Sequence, residues 1–217
     1  MKRLFYLLGI ILGLQVTAQT EMSTPVSPIV RYVEGYVITN EGDTLTGEVR
    51  VRNKGITYFV NRIHFKPESG KKVDYFPEDL KGFVQKRDNL SVLGGNSLQS
   101  SDQEWIYYDS FTHPSKKNKT VFVQRLLKGP KMTLYENPSG SSTSTGLGGI
   151  TVSESERTYL ISKEGGELIR LHKGQFENRL EELFYDCISL KTELENNEKM
   201  KDFRNIEDIV IKYNECD

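Results

Sequence analysis

Gly35-Tyr-Val-Ile-Thr-Asn-Glu-Gly-Asp-Thr-Leu-Thr-Gly-Glu-Val49 is the stretch whose reading decides the fold. After Asp43, the residues Leu45, Gly47, Val49 and Val51 alternate with Thr46, Glu48, Arg50 and Arg52. That period of two places one set on a buried face of a strand. Before the turn, Tyr32, Val33, Tyr36, Val37 and Ile38 are β-branched or aromatic, types that suit a pleated surface. Between the arms, Asn40-Glu41-Gly42-Asp43 offers a residue free to take positive φ at Gly42, and side chains at Asn40 and Asp43 able to bond local backbone. The segment predicts a β-hairpin, and Asp43 reads as a turn residue rather than an acid or metal ligand.

Outward from the hairpin, the chain continues as short strands. Residues 57–66 and 72–76 are extended in pattern, and 77–82 reads as a turn or a single helical turn before Phe83 and Val84 resume the strand. Residues 105–111 form an aromatic-rich strand. Residues 121–127 and 132–136 flank Lys128-Gly-Pro-Lys131, and 157–162 and 167–171 flank Lys163-Glu-Gly-Gly166, two hairpin turn signals. Strands at this spacing predict an antiparallel β domain over residues 32–172, either a β-sandwich or a small open barrel. Two stretches interrupt the pattern: residues 89–103, polar with Gly94-Gly95, and 138–149, built from Ser, Thr and Gly. The second lacks the Lys-Ser/Thr ending of a phosphate-binding loop and reads as a loop between strands.

The period changes in the tail, 173–217. Phe176, Leu180, Leu183, Phe184, Cys187, Leu190 and Leu194 recur at three- and four-residue steps, an amphipathic helix reaching about residue 197. Asn205 then caps a second helix with Ile206, Ile209, Val210 and Tyr213 on one face. The spacing predicts an α-helical hairpin packed on the β domain. Cys187 to Asn196 spans roughly 14 Å of helix and Asn205 to Cys216 roughly 16 Å, so antiparallel helices bring the sulfurs level. The two cysteines of the chain are therefore expected to form a Cys187–Cys216 disulfide.

Residues 1–18 stand apart. Lys2 and Arg3 precede an apolar run at 4–14, and Val16-Thr17-Ala18 is a small-residue cleavage signal before Gln19. This is the pattern of a signal peptide, and the run is shorter than the ~20 residues a spanning helix needs. The expectation is an exported chain, periplasmic or extracellular and at most outer-membrane associated, with residues 19–31 a flexible leader and no transmembrane span after cleavage. No cysteine follows the cleavage signal to carry a lipid.

The charge balance argues against nucleic acid. The chain carries a net charge of −1, and the tail is its acidic part, with 7 basic and 12 acidic side chains over 173–217. The cluster Lys116, Lys117, Lys119 has no interleaved aromatics and reads as a solvated loop.

A search for chemistry returns no catalytic, metal or cofactor-binding residue. His64, His113 and His172 are widely spaced, and no Cys-x-x-Cys, His-x-x-x-His or Gly-x-Ser-x-Gly pattern occurs. Trp105, Tyr107 and Tyr108 could line a groove for a ligand, although strand residues divided between core and surface are the plainer account.

The blocks Gly35-Tyr-Val-Ile-Thr and Gly42-Asp-Thr-Leu-Thr-Gly47 resemble the opening of an exported β-module of unknown function common in Bacteroidetes. The block Tyr75-Phe-Pro-Glu-Asp-Leu-Lys-Gly-Phe83, Leu134-Tyr135-Glu136, Tyr159-Leu-Ile, Asp186-Cys187 and Tyr213-Asn214-Glu-Cys216 are similar too. In longer relatives such a module can precede a porin-type outer-membrane β-barrel. The resemblance implies a structural module and carries over no activity or cofactor. Two functions follow as expectations. The first is a non-catalytic envelope module binding a protein or cell-wall partner. The alternative is a small-ligand or glycan carrier using Trp105, Tyr107 and Tyr108.

Overall fold

The computed structural model describes residues 21–22, 29–52, 59–87, 104–137 and 158–216. Residues 1–18, expected to be a signal peptide, and the two interrupting stretches, 89–103 and 138–149, lie outside them. The strands are β1 (Glu21–Met22), β2 (Val33–Thr39), β3 (Thr44–Val51), β4 (Ile63–Pro67), β5 (Val73–Tyr75), β6 (Leu80–Lys86), β7 (Trp105–His113), β8 (Lys116–Lys128), β9 (Met132–Asn137), β10 (Thr158–Lys163) and β11 (Ile169–Leu171). All pair antiparallel in one sheet of order β11-β10-β9-β8-β7-β6-β2-β3-β4-β5, with β1 added beside the end of β8. The chain is thus mainly antiparallel β with a helical C-terminal part, as its periodicities predict. Between the two β architectures left open above, the sheet is open, with β5 and β11 as its edges.

It is strongly curled all the same. Val60, ahead of β4, makes an isolated antiparallel bridge to Phe122 in β8, with Phe122 N donating to Val60 O at 2.8 Å. Inside the curl, Val37, Val49, Ile63, Phe65, Phe83, Tyr108 and Phe122 form one apolar cluster. Along the same face, Leu126, Leu134 and Ile161 are covered instead by the helices in a second and larger cluster. A third, with Val121, Val123, Tyr135 and Leu160, buries part of the opposite face. One sheet therefore packs one half against itself and the other half against helices.

The first hairpin pairs in register, Val33 with Val49 and Ile38 with Thr44, and turns through Gly42 at φ 101°. Val49 and Val51 are buried as the alternation requires, while Leu45, near the hairpin tip, is left exposed. Asn40 does not bond locally. Its amide donates to Glu78 O at 2.8 Å, and the local contact is Asp43 N to Thr39 Oγ1 at 3.2 Å. Gly35 and Gly47 face each other across the pair because neighbouring backbone leaves no room for a side chain. A Cβ on Gly35 would stand 2.2 Å from Val84 O, and one on Gly47 2.3 Å from Lys66 O. Backbone in the middle of a sheet cannot give way cheaply. Gly35→Ala is expected to destabilise the protein by about 2–4 kcal/mol. A denaturant midpoint within error of the parent would refute this close-packing account.

Three sequence expectations need revision. The cluster Lys116, Lys117, Lys119 lies in the first four residues of β8 and not in a loop. The β7–β8 ribbon runs out past the core there, where exposed strand residues need no apolar alternation. The single long helix of the tail is two: α1 (Phe176–Phe184) and α2 (Ile188–Asn196). Its apolar period continues across the break, but Cys187 takes an extended conformation, and its sulfur caps α2 by accepting from Leu190 N at 3.3 Å. The third change concerns residues 19–31. Glu21 and Met22 pair with β8, and Ile29 is buried with its carbonyl accepting from Val51 N and Gln85 Nε2. This part of the leader is held by the sheet.

The last helix, α3 (Ile206–Asn214), buries Ile206, Ile209, Val210 and Tyr213 against the sheet. Among the described residues, no helix is long and apolar enough to cross a membrane.

Candidate functional site

The helical part owes its rigidity to a cross-link and a buried amide. Cys187 and Cys216 form a disulfide with Cα atoms 5.9 Å apart, as their spacing predicts. Asn214 is buried and uses its whole side-chain amide. Oδ1 accepts from Lys131 N at 3.0 Å and Met132 N at 2.8 Å, while Nδ2 donates to Met132 O and Val210 O, both at 2.9 Å. The end of α3 is thereby bonded to the β8–β9 turn. Gly129 in that turn has to be glycine, since a Cβ there would lie 2.1 Å from the Asn214 amide.

A polar cluster anchors the α1–α2 junction. Tyr213 donates its hydroxyl to Asp186 Oδ2 at 2.7 Å, and Lys163 Nζ, from the end of β10, reaches Leu183 O at 2.8 Å and Asp186 Oδ1 at 3.4 Å. The ammonium also lies over the Tyr213 and Tyr185 rings, 4.9 and 5.6 Å from their centroids. Burial penalises the Lys163 charge, but the hydrogen bonds and fields of Tyr213 and Asp186 outweigh it and hold its pKa above the usual lysine value. Burial likewise opposes the Asp186 charge, and bonds from Tyr213, its own backbone and Lys163 bring its pKa below the ordinary range. Both groups stay charged near neutrality. This is an ion pair that fixes a turn.

What that turn presents is apolar. Tyr185 is 66% exposed and Ile188 79%, the two most exposed large hydrophobic side chains among the described residues. They flank Cys187, in a short segment pinned by the disulfide, the helix cap and Asp186. Beside them a cleft of about 270 Å³ runs between α1 and α2, with Leu180, Phe184 and Leu194 at its floor and Tyr185 on its wall. Its rim is acidic. Lys191 pairs with Glu181 and Lys201 with Glu198, which leaves Glu177 and Glu195 without ion-pair partners among the described residues.

The aromatic residues singled out in the sequence are not brought together. Tyr108 points into the curl, 2% exposed and stacked on Phe83 at 4.4 Å, and burial pushes its phenol pKa up. Trp105 and Tyr107 lie on the other face, because successive strand residues alternate. There Trp105 is near Tyr36 at 6.3 Å and under Lys86, and Tyr107 carries the Arg125 guanidinium at 4.7 Å. Neither of two clefts on the surface is lined by any of the three.

No group of three or more His, Cys, Asp or Glu side chains suited to a metal occurs among the described residues. His64 pairs with Asp74 across β4–β5, in register on the sheet edge. Arg125 and Tyr135 share Asp109 on the outer face, and burial raises the Tyr135 phenol. Both arrangements join neighbouring strands. Sequence reasoning found the disulfide but missed the exposed Tyr185–Ile188 pair, because neither residue falls on the apolar steps at 176, 180, 183, 184, 187, 190 and 194, and that uninterrupted period hides the break between them. Compared with protein families, with curated proteins and with solved structures, the chain finds no match.

Proposed function

We propose that this is a non-catalytic, exported module of the cell envelope that binds a partner through its helical face. One observation carries the reading: Tyr185 and Ile188 stand exposed on a turn that a disulfide and the Lys163–Asp186 ion pair hold in place, beside an apolar-floored cleft. Large apolar side chains exposed close together beside an apolar-floored cleft are the kind of surface that marks an interaction site. Rigid presentation lowers the entropy lost when a partner binds. The acidic rim, with Glu177 and Glu195 unpaired among the described residues, favours a protein segment with an apolar anchor flanked by lysine or arginine. Export and envelope placement rest on the signal-peptide pattern at 1–18 and on the resemblance of the hairpin blocks to exported β-modules.

The test compares the parent chain with a Tyr185→Ala, Ile188→Asp double variant as baits in envelope extract of the source cells. The expected result is a stoichiometric partner, captured by the parent and released at high salt, whose affinity for the variant falls about tenfold or more. The variant should melt with the parent, since neither side chain is buried. Equal capture by both baits would overturn the assignment of this face. Capture of a lipid or glycan in place of a protein would favour the carrier function.

A further inference from the structure

A second cleft, of about 440 Å³, opens at the end of the curl opposite in character to the first. Its walls come from segments distant in sequence. Arg52 follows β3, Asn61 and Arg62 lead into β4, Asn118 and Lys119 lie in β8, and Phe76 precedes the short 3₁₀ turn Pro77–Asp79. Two bonds explain the meeting. Arg52 N donates to Arg62 O at 3.0 Å, and the Val60–Phe122 bridge draws the approach to β4 onto β8.

We propose that this cleft binds an anionic saccharide, a sugar bearing a phosphate or a carboxylate. The proposal concerns a different surface from the helical face and stands independently of it. Three cations converge on one concavity, where their mutual repulsion is relieved by an anion and where the walls focus their field. Arg62 is shared with Asp74, 3.6 Å away, but Arg52 and Lys119 make no ion pair among the described residues. The lining holds one carboxylate, Glu78, which is already engaged. Thr120 Oγ1 donates to its Oε2 at 2.8 Å, and the Asn40 amide holds its carbonyl. A carboxylate fixed in this way is an acceptor for sugar hydroxyls, and the amides of Asn61 and Asn118 add donors and acceptors. Phe76, 42% exposed, supplies an apolar wall for the C–H face of a sugar ring. Its backbone is pinned, because Phe76 N donates to Asp79 Oδ2 at 2.8 Å. The volume suits one or two sugar rings. A bare inorganic anion would leave Phe76 and the amides unused.

The experiment titrates the mature chain by calorimetry with glucose 6-phosphate, glucuronate, glucose and inorganic phosphate. Saturable binding of at least one charged sugar is expected, weakening as salt rises, and the tighter of the two names the anionic group. Glucose and inorganic phosphate should each bind about tenfold or more weakly than that sugar. Arg52→Ala with Lys119→Ala should lower the affinity about tenfold with the melting temperature unchanged, since both side chains are exposed. Phe76→Ala should weaken the sugar and leave inorganic phosphate unaffected. Failure of both charged sugars to bind, or an unchanged affinity in the double variant, overturns the site. Equal binding of glucose overturns the role of charge, and equal binding of inorganic phosphate overturns the saccharide.

Discussion

Asn214→Leu is expected to lower the stability of this protein by about 3–5 kcal/mol, the largest loss from any single side chain outside the apolar clusters. The side chain makes four hydrogen bonds, all to backbone and all beneath the α3–sheet contact. Leucine nearly matches the volume, so the change creates little cavity. What it leaves behind is the N–H of Lys131, the N–H of Met132 and the C=O of Met132 without their partner, at a place where Met132 is fully buried. An orphaned buried donor or acceptor costs about 1–3 kcal/mol. Gly129 adds to the damage, because it was left without a side chain to admit an amide. Branched methyl groups do not fit the same space. For a chain of this size the loss corresponds to a fall in melting temperature of about 10 °C. Calorimetry of parent and variant settles it. A shift below about 3 °C would mean that water or backbone movement replaces the amide bonds, and the clamp described above would have to be abandoned. Asn214→Asp is a useful control: it keeps an acceptor for the two N–H groups but sets a carboxylate against the carbonyls of Met132 and Val210, so it too should destabilise.

The second large effect belongs to the disulfide. Removing it is expected to cost about 3–4 kcal/mol, from the chain entropy released when residues 29 apart are no longer joined. The double replacement Cys187→Ser, Cys216→Ser isolates that contribution. A serine at 187 can still accept from Leu190 N and keep the cap of α2, so the lost stability reports the cross-link rather than the helix start. Mass spectrometry without reductant should find the mature chain two hydrogens lighter than after reduction. Equal masses would remove the bond, and a Ser–Ser variant as stable as the parent would remove its energetic role. A linked consequence reaches the proposed function. Cys187 lies between Asp186 and Ile188, so freeing it loosens the turn that presents Tyr185 and Ile188, and partner affinity should fall even where the fold survives.

Much of the architecture was legible because it follows from short-range periodicity. The alternation around Val49 and Val51 sets a strand with a buried face, and Gly42 sets the turn. The three- and four-residue recurrence from Phe176 to Leu194 sets helix, and two cysteines on apolar faces set a cross-link. These are properties that neighbouring residues determine between themselves. The helix break at Cys187 was not legible, because an amphipathic period continues unchanged through a kink when both halves pack on the same core. Nor was the position of Lys116, Lys117 and Lys119 in a strand, since a ribbon in solvent places no demand on composition.

The clefts belong to a different order of information. The Cys187–Cys216 bond and the first hairpin are implied by pattern, but no local pattern says that Arg52, Arg62 and Lys119 share a concavity. That depends on how far the sheet curls, which is decided by the packing of Val37, Phe65, Phe83, Tyr108 and Phe122 against one another. The fate of Tyr108 shows the same division. Alternation alone puts Trp105 and Tyr107 on one face and Tyr108 on the other, whereas only the tertiary curl makes that second face an interior. By itself the sequence determined strands, helices, turns and the disulfide, since these rest on residues a few positions apart or on the two cysteines alone. Which side chains became exposed anchors, which cations converged and which amide bonded a helix to a turn 82 residues away were decided by long-range packing, because only the folded sheet brings those groups within reach of one another.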